Sequence, residues 1–396
     1  MFEAVIVDAI RTPMGKRGGS LANAHPVDLL GSVLKILVER NELDPAIVDD
    51  VIIGCVDQVD EQSSNIARNA WLAAGLPITV PGVTIDRQCG SSLQAVHFAA
   101  QGVMSGSYDV VIAGGIESMT RVPIGTSARD GKTPMTESLF QRFDLQGYGF
   151  NQFAGAEMIA HEIGLTREQI DAYSVRSHQR AYEAQQNGYF DKEIIPVSVK
   201  DAEGNVFVFD RDETIRPDSS LEKMASLQPV YPGLQTVTPG TSSQISDGAS
   251  AVLIMSKEAA KKYGLKPRAV FKAFSVVGSD PVAMLKGPAI ATEKVLQKAG
   301  LSKEDIDLVE INEAFASVVL RWEHEIGIPL EKVNVNGGAI ALGHALGSTG
   351  TRLVTTLLYE LERQQLRYGL VTICEGPGMA NGLIIERMEG EMKHEL

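Results

Sequence analysis

LDPAIVDDVIIGCV (Leu43 to Val56) and LSKEDIDLVEINEAF (Leu301 to Phe315) repeat one plan at two distant places in the chain. Each runs from a helix-start signal through Ile/Val and Asp into an apolar strand. Leu43 matches Leu301, and Val51 matches Val309. The plan continues outward from both. VTIDRQCGSS leads into a helix ending near Met104 and then DVVIAGG, while VNVNGGAIALGH leads into a helix ending near Arg363 and then GLVTICEG. Each half is therefore strand, turn, helix, strand, glycine turn. Strands this apolar, separated by helices, predict sheets covered on both faces with mainly parallel pairing. The expected architecture is α/β: two similar half-domains packed together, with Cys89 of one meeting His344 and Cys374 of the other at the junction.

Between the halves, from about Ser118 to Ile245, the chain is richer in Gly, Pro, Gln and charge and breaks the alternation. It reads as an insertion over one face. Arg167 to Asn187 is an amphipathic helix candidate, capped by Thr166 and ended by Gly188. TPGTSSQISDGASAVLIMS (Thr238 to Ser256) then returns to the first half through a small-residue turn, where backbone N–H groups can approach a ligand, and a strand.

Bulk properties bound the function. The chain has 396 residues, is 44% hydrophobic and can bury large cores. A net charge of -14 and a pI near 5.1 speak against nucleic acid as a general partner, so an anionic ligand needs a local basic cluster. Cys55, Cys89 and Cys374 form neither a disulfide framework nor CxxC metal pairs, which indicates a reducing compartment. MFEAVIVDAIRT opens on a strand-like run without signal-peptide pattern, and no apolar run is of membrane-spanning length. The terminal Lys393-His394-Glu395-Leu396 is read as a coincidental likeness to a retention tag. The expectation is a cytoplasmic protein with neither membrane nor nucleic acid as partner and no metal.

The chemistry centres on Cys89. In DRQCGSS (Asp86 to Ser92) it stands where a strand gives way to a helix, so unpaired backbone N–H groups are aimed at the thiol and favour its thiolate. Cys55, at the end of VIIGCV, reads as a small buried apolar residue. Cys89 and Cys374, at strand exits beside glycines in matching places of the two halves, read as functional. His344, in a glycine-rich loop with two such cysteines, reads as a base. Asn312 ends the strand VEIN, where it can cap a helix or place a water beside a developing oxyanion.

NEAFA (Asn312 to Ala316), NVNGGAIALGH (Asn334 to His344) and the Cys89 and Cys374 turns, in this order, resemble the thiolases. The likeness runs from Val5-Ile6-Val7 through Arg11-Thr12-Pro13 to Ile385-Glu386. The resemblance implies the thiolase fold, two duplicated βαβαβ half-domains in a five-layered αβαβα sandwich. Residues 1–117 with 246–268 form the first half, 118–245 an inserted loop domain that holds coenzyme A, and 269–396 the second half. It also implies roles. Cys89 is the acyl-accepting nucleophile, His344 its base, and Cys374 the acid/base at the α-carbon. One oxyanion hole uses His344 with a water on Asn312; the other uses the N–H groups of Cys89 and Gly376. Coenzyme A is a co-substrate and no cofactor is tightly bound. Arg216, Lys223 and Ser243 fall near coenzyme A, with Tyr231, Met284, Ala314 and Phe315 lining the pantetheine or acyl chain; surface solvation for Arg216 and core packing for Tyr231 and Met284 are the competing readings. Acyl-CoA and CoA are the implied partners, in a homodimer or homotetramer contacting through Glu61 to Pro77.

Three departures from the family pattern are visible. Ala345 stands where most thiolases have proline, and Cys374-Glu375-Gly376-Pro377-Gly378 replaces a run of glycines. NQFAGAE (Asn151 to Glu157) lacks the His-Met pair of short-chain biosynthetic members and looks more like degradative enzymes, including thiolases of actinobacterial steroid breakdown. The implied activity is CoA-dependent cleavage of 3-ketoacyl-CoA, in fatty-acid or steroid-type β-oxidation. A biosynthetic acetoacetyl-CoA thiolase and a catalytically weak CoA- or lipid-binding relative are the alternatives. A condensing ketoacyl synthase resembles a Cys-His-His set instead, which the second cysteine disfavours.

Overall fold

The computed structural model describes residues 2–128, 132–147 and 149–389. The first half contains β1 (Ala4–Arg11), β2 (Gly15–Lys16), α1 (Pro26–Arg40), β3 (Asp50–Gly54), α2 (Ile66–Ala73), β4 (Val83–Ile85), α3 (Ser91–Met104) and β5 (Val110–Ser118). The inserted region holds α4 (Glu137–Phe143), α5 (Gln152–Glu162), α6 (Arg167–Gln186), β6 (Val197–Lys200), β7 (Val206–Phe209) and α7 (Leu221–Ala225). β8 (Ser246–Ser256) returns to the first half, followed by α8 (Lys257–Lys262). The second half is β9 (Ala269–Gly278), α9 (Gly287–Ala299), β10 (Leu308–Ile311), α10 (Ala316–Ile326), α11 (Ala339–Leu342), α12 (Thr349–Gln364), β11 (Tyr368–Glu375) and β12 (Met379–Arg387).

The strands run in the order β4-β3-β5-β8-β1-β9-β12-β11-β10, with the two halves meeting where Val5 and Ile6 pair with Val270 and Ala269. The order is the same on both sides of that seam, as the repeated sequence plan requires. α3 and α12 pack against each other, α3 against strands of the first half and α12 against strands of both. They are buried on nearly every side, the pattern of a central layer. α1 and α2 cover the outer face of the first half and α9 that of the second, each burying one apolar stripe. This is the five-layered αβαβα sandwich.

Local signals were read correctly at several points. The two helix starts at Leu43 and Leu301 are single 3-10 turns, Pro45–Ile47 and Lys303–Asp305, capped by Asp44 and Ser302. Thr166 caps α6 in a capping box with Gln169, and Gly188 takes a left-handed φ of 70° just beyond its end. Cys55 is buried, with its thiol against Glu117.

Mainly parallel pairing was the wrong expectation. Among the described residues only the strand pairs β3–β4, β3–β5 and β10–β11 are parallel. β8 and β12 return antiparallel, each inserted between the first strand of its half and the parallel pair. The three residues between β11 and β12 permit nothing else, because a parallel connection needs a crossover of a dozen or more. The strand expected over VPGVTI shrinks to Val83–Ile85, and its counterpart in VNVN to a single bridge between Val309 and Val333. Lys393 to Leu396 lie outside the described residues. No helix among the described residues is long and apolar enough to cross a membrane.

The inserted region is bolted to the sandwich by buried charge. Arg11 of β1 pairs with Glu193 at 2.6 Å and Asp212 at 2.7 Å and lies over Phe190. Glu313, following β10, accepts from Tyr173 (2.8 Å) and Ser177 (2.7 Å) of α6, from Asn334 (3.0 Å) and from the Ile340 N–H (3.0 Å). One carboxylate thus ties α6 to the segment that leads into His344.

Candidate active site

The Cys89 turn is built by its neighbours. Asp86 accepts from the Gln88 N–H at 2.6 Å, which holds Gln88 in a left-handed conformation, φ 48°. The Ser91 hydroxyl accepts from the Arg87 N–H at 2.9 Å and donates to the Gln88 carbonyl at 2.6 Å. Cys89 is left half-buried just ahead of the first turn of α3. The Ser92 hydroxyl accepts from the Thr351 N–H at 3.0 Å, so the first turns of α3 and α12 lie together. That contact brings the Cys89 turn beside the loop carrying His344.

His344 is buried, its N–H donated to the Gln244 carbonyl at 3.0 Å. Its tautomer follows from its partners. The Thr349 hydroxyl spends its proton on the Ala345 carbonyl at 2.8 Å, so at 2.6 Å from Nδ1 it accepts from the ring. Nδ1 therefore carries the hydrogen and Nε2 is left as the base. Asn312 Nδ2 lies 3.4 Å from Nε2, while its Oδ1 has no partner among the described residues. An unpartnered buried acceptor there suits a water beside the imidazole. Burial, and next the charge of Arg352, push the His344 pKa down to about 3, so the ring is neutral across the physiological range.

Cys374 is the penultimate residue of β11, buried, and Asn312 follows the neighbouring parallel strand, donating its N–H to the Thr372 carbonyl at 3.1 Å. Burial raises the Cys374 thiol well above its ordinary value, and a charge on Cys89 would raise it further. The expected thiolate at Cys89 is not the resting state. Burial, followed by the charges of Glu375, Asp86 and Glu117, pushes its pKa up to about 12. The helix N-terminus is outweighed by desolvation, to which the neighbouring carboxyls add once they are ionised. Cys89 and His344 rest as neutral thiol and neutral imidazole, and the sulfur loses its proton only as it attacks.

Neither the Cys89 nor the Gly376 N–H bonds to another described residue. The Gly376–Pro377 peptide is cis. A side chain at Gly376 would meet the Met284 sulfur at 3.5 Å, so Met284, buried and with φ 58°, walls this turn. Ala345 holds φ -70°, close to the angle that proline imposes, so the backbone here is one that proline could also adopt.

The residues assigned to coenzyme A divide. Ser243 donates its N–H to the Ala314 carbonyl at 2.9 Å, which joins the small-residue turn to the Asn312 segment. Tyr231, half-exposed, stacks edge-on with Phe153, which stacks on buried Phe315. This aromatic file runs from the surface toward the Asn312 segment. Arg216 and Lys223 are exposed; the Arg216 guanidinium bonds to no described residue, and Lys223 pairs with Asp218. Neither is brought to the thiols by any contact. A cavity of about 470 Å³ between Ile163 and Leu330 is not lined by Cys89, His344 or Cys374. No cluster of His, Cys, Asp or Glu that could hold a metal ion occurs among the described residues.

Sequence reasoning missed Thr349, Glu117 and Glu375. Only the spacing of a hydroxyl five residues after His344 pointed to Thr349. For the two glutamates the signal was present: the offset that takes Val51 to Val309 takes Glu117 to Glu375.

A family model for the thiolase N-terminal domain matches residues 4–258, and one for the thiolase C-terminal domain matches 265–387. A steroid 3-ketoacyl-CoA thiolase of Mycobacterium tuberculosis is 52% identical over 98% of the chain and 95% of the relative. A 3-ketoacyl-CoA thiolase of Escherichia coli is 45% identical over 98% of the chain and 100% of the relative. The crystal structure of an acetyl-CoA acetyltransferase of Bacillus anthracis superposes with a TM-score of 0.90 at 39% identity, covering 98% of this chain and 99% of the other.

Proposed function

The chain belongs to the thiolase family of acyltransferases, and from that premise we propose that it cleaves 3-ketoacyl-CoA esters with coenzyme A as co-substrate. The observation that carries this reading is the second thiol. Cys374 lies buried near the end of β11, next to Glu375, whose carboxyl reaches Gly90 beside Cys89, and a simple acyl transferase or hydrolase has no use for a buried acid at that place.

In the proposed sequence the Cys89 sulfur bonds to the 3-keto carbon as His344 Nε2 takes its proton. The alkoxide is met by the N–H groups of Cys89 and Gly376. Breaking the bond between C2 and C3 restores the carbonyl as a thioester on Cys89 and leaves acetyl-CoA as an enolate, its oxygen beside His344 and a water on Asn312. The Cys374 S–H protonates C2 and releases acetyl-CoA. The thiol of a second CoA gives its proton to the Cys374 sulfur, attacks the thioester, and leaves as an acyl-CoA two carbons shorter; Cys89 departs and recovers its proton from His344. No tightly bound cofactor enters, and the order of events gives ping-pong kinetics.

The relatives of known name support a degradative, fatty-acid or steroid-type substrate. Run in reverse, the same residues condense two acetyl-CoA units, a reading favoured by the Bacillus anthracis structure. Incubation with CoA and 3-ketoacyl-CoA esters of graded chain length, with and without a ring-bearing acyl group, decides between them. Cleavage of long or ring-bearing esters that vanishes in Cys89→Ala is the expected result. Turnover confined to acetoacetyl-CoA supports the biosynthetic reading, and CoA binding without turnover sinks both.

A homodimer or homotetramer is part of the proposal, as is a reducing, cytoplasmic setting, which three unpaired cysteines support. Leu72, Ile78 and the edge-strand residue Val83 are exposed apolar side chains in and after the segment Glu61 to Pro77. Light scattering on the eluted protein is expected to give twice or four times the chain's 42.6 kDa. A monomer at assay concentration would refute that part alone.

A further inference from the structure

Glu375 is fully buried, and neither of its carboxyl oxygens has a hydrogen-bond partner among the described residues. It does not lie in an idle corner. A Cβ built on Gly90 would stand 1.8 Å from Glu375 Oε1, so the carboxyl presses on the residue after Cys89. Its own carbonyl carbon carries the Gly376 N–H. Both donors of the second oxyanion hole therefore flank this one side chain.

The internal repeat shows what a glutamate at this place does when ionised. Glu117 occupies the matching position in the first half and accepts from Val56, Asp57, Gln62 and the Gly347 N–H, the last at 2.8 Å. The offset that relates Glu117 to Glu375 relates Gly347 to Cys89. In the first copy the carboxylate consumes the loop N–H. In the second, the equivalent N–H is left open and the carboxyl stands off it.

We propose that Glu375 is a positioning residue that must be protonated for turnover: its neutral carboxyl packs against the Cys89 turn without taking the oxyanion-hole donors, and its ionisation closes the hole. This rests on the thiolase reading above. The surroundings favour the neutral acid. Burial, opposed by Arg87 and reinforced by Asp86, pushes the Glu375 pKa up to about 9. Arg87 forms no ion pair with it and points Nη1 at the Met379 sulfur. The other groups around it are the two thiols, Cys89 and Cys374, both of which its negative charge would make harder to ionise. β12 sets Met379 opposite it, and Gly90, just ahead of α3, lies against its carboxyl.

The test is the alkaline limb of kcat at saturating substrate. With an ionisation near 9, the wild-type rate is expected to fall about tenfold from pH 8 to pH 10. In Glu375→Gln, whose amide mimics the neutral acid, the same ratio should stay within about twofold; Glu375→Asp, which restores an acid, should keep the limb. Infrared spectroscopy of the folded proteins at pH 8 should show a carboxylic-acid carbonyl band that is absent from Glu375→Gln and bleaches in wild type as the pH is raised. An unchanged limb in Glu375→Gln overturns the proposal, as does a missing acid band, which would mean an ionised carboxylate held by Arg87. If the wild type cleaves no 3-ketoacyl-CoA at any pH, the thiolase reading fails, and the infrared titration still decides the state of Glu375.

Discussion

Cys374→Ala is expected to abolish carbon–carbon cleavage while leaving acyl exchange between CoA thioesters running. The two activities differ in one step. Exchange requires Cys89 to attack a thioester, His344 to carry the proton, and the oxyanion held by the Cys89 and Gly376 N–H groups; none of these needs a second acid. Cleavage also generates a carbanion at C2, and the group assigned to quench it is the buried Cys374 thiol. General acids of this kind contribute about 10²–10⁴-fold, so the kcat for cleavage should drop by about 10³ or more. Exchange of labelled CoA into a saturated acyl-CoA, measured on the same preparation, should fall by less than about tenfold. Removing a thiol from a buried, satisfied strand end changes volume little, so loss of fold is not expected. Equal loss of both activities would sink the assignment, for it would make Cys374 a structural support of the nucleophile. Persistent cleavage would sink it more directly.

The parts of this molecule that a sequence displays are those written in local pattern. The repeated strand-turn-helix plan exposed the duplication, and the caps at Thr166, Asp44 and Ser302 lie within three residues of the groups they satisfy. Cys89, His344 and Cys374 stand out because glycine turns after strands are rare places for reactive side chains. What was not legible depends on partners far away in the chain. Glu313 gains its meaning from Tyr173 and Ser177, and Glu117 from Gly347; no periodicity links them. The antiparallel return of β8 and β12 is a property of the whole sheet. The misjudged thiolate at Cys89 has the same origin. A helix N-terminus is visible in sequence, whereas the burial that outweighs it is assembled only by folding.

Gly350→Ala should cost both stability and rate, because the junction of the two halves is set by backbone contact at this residue. A Cβ built on Gly350 would lie 2.1 Å from the Leu93 nitrogen and 2.7 Å from its Cα. Both atoms belong to the backbone of α3, so no side chain can rotate away. Gly54 of β3 also meets the first turn of α3 through backbone, its Cβ position 2.3 Å from the Ser92 nitrogen, so this turn is held closely at two glycines. Gly350 has no left-handed φ, and helix propensity by itself would favour alanine by about 1 kcal/mol. The steric cost exceeds that gain: overpacking of a rigid core costs about 1–3 kcal/mol, and the measured difference is expected to be destabilising by at least the lower figure. The rate suffers more. Relief requires the first turns of α3 and α12 to part, and these turns carry the Cys89 turn and the His344 loop, tied at present by Thr351 and Ser92. A displacement near 1 Å between nucleophile and base corresponds to about a hundredfold loss in kcat. Thermal melts and steady-state kinetics on one preparation check both. A variant as stable and as fast as wild type would show that the halves can slide, and that their junction does not fix the distance on which the chemistry depends.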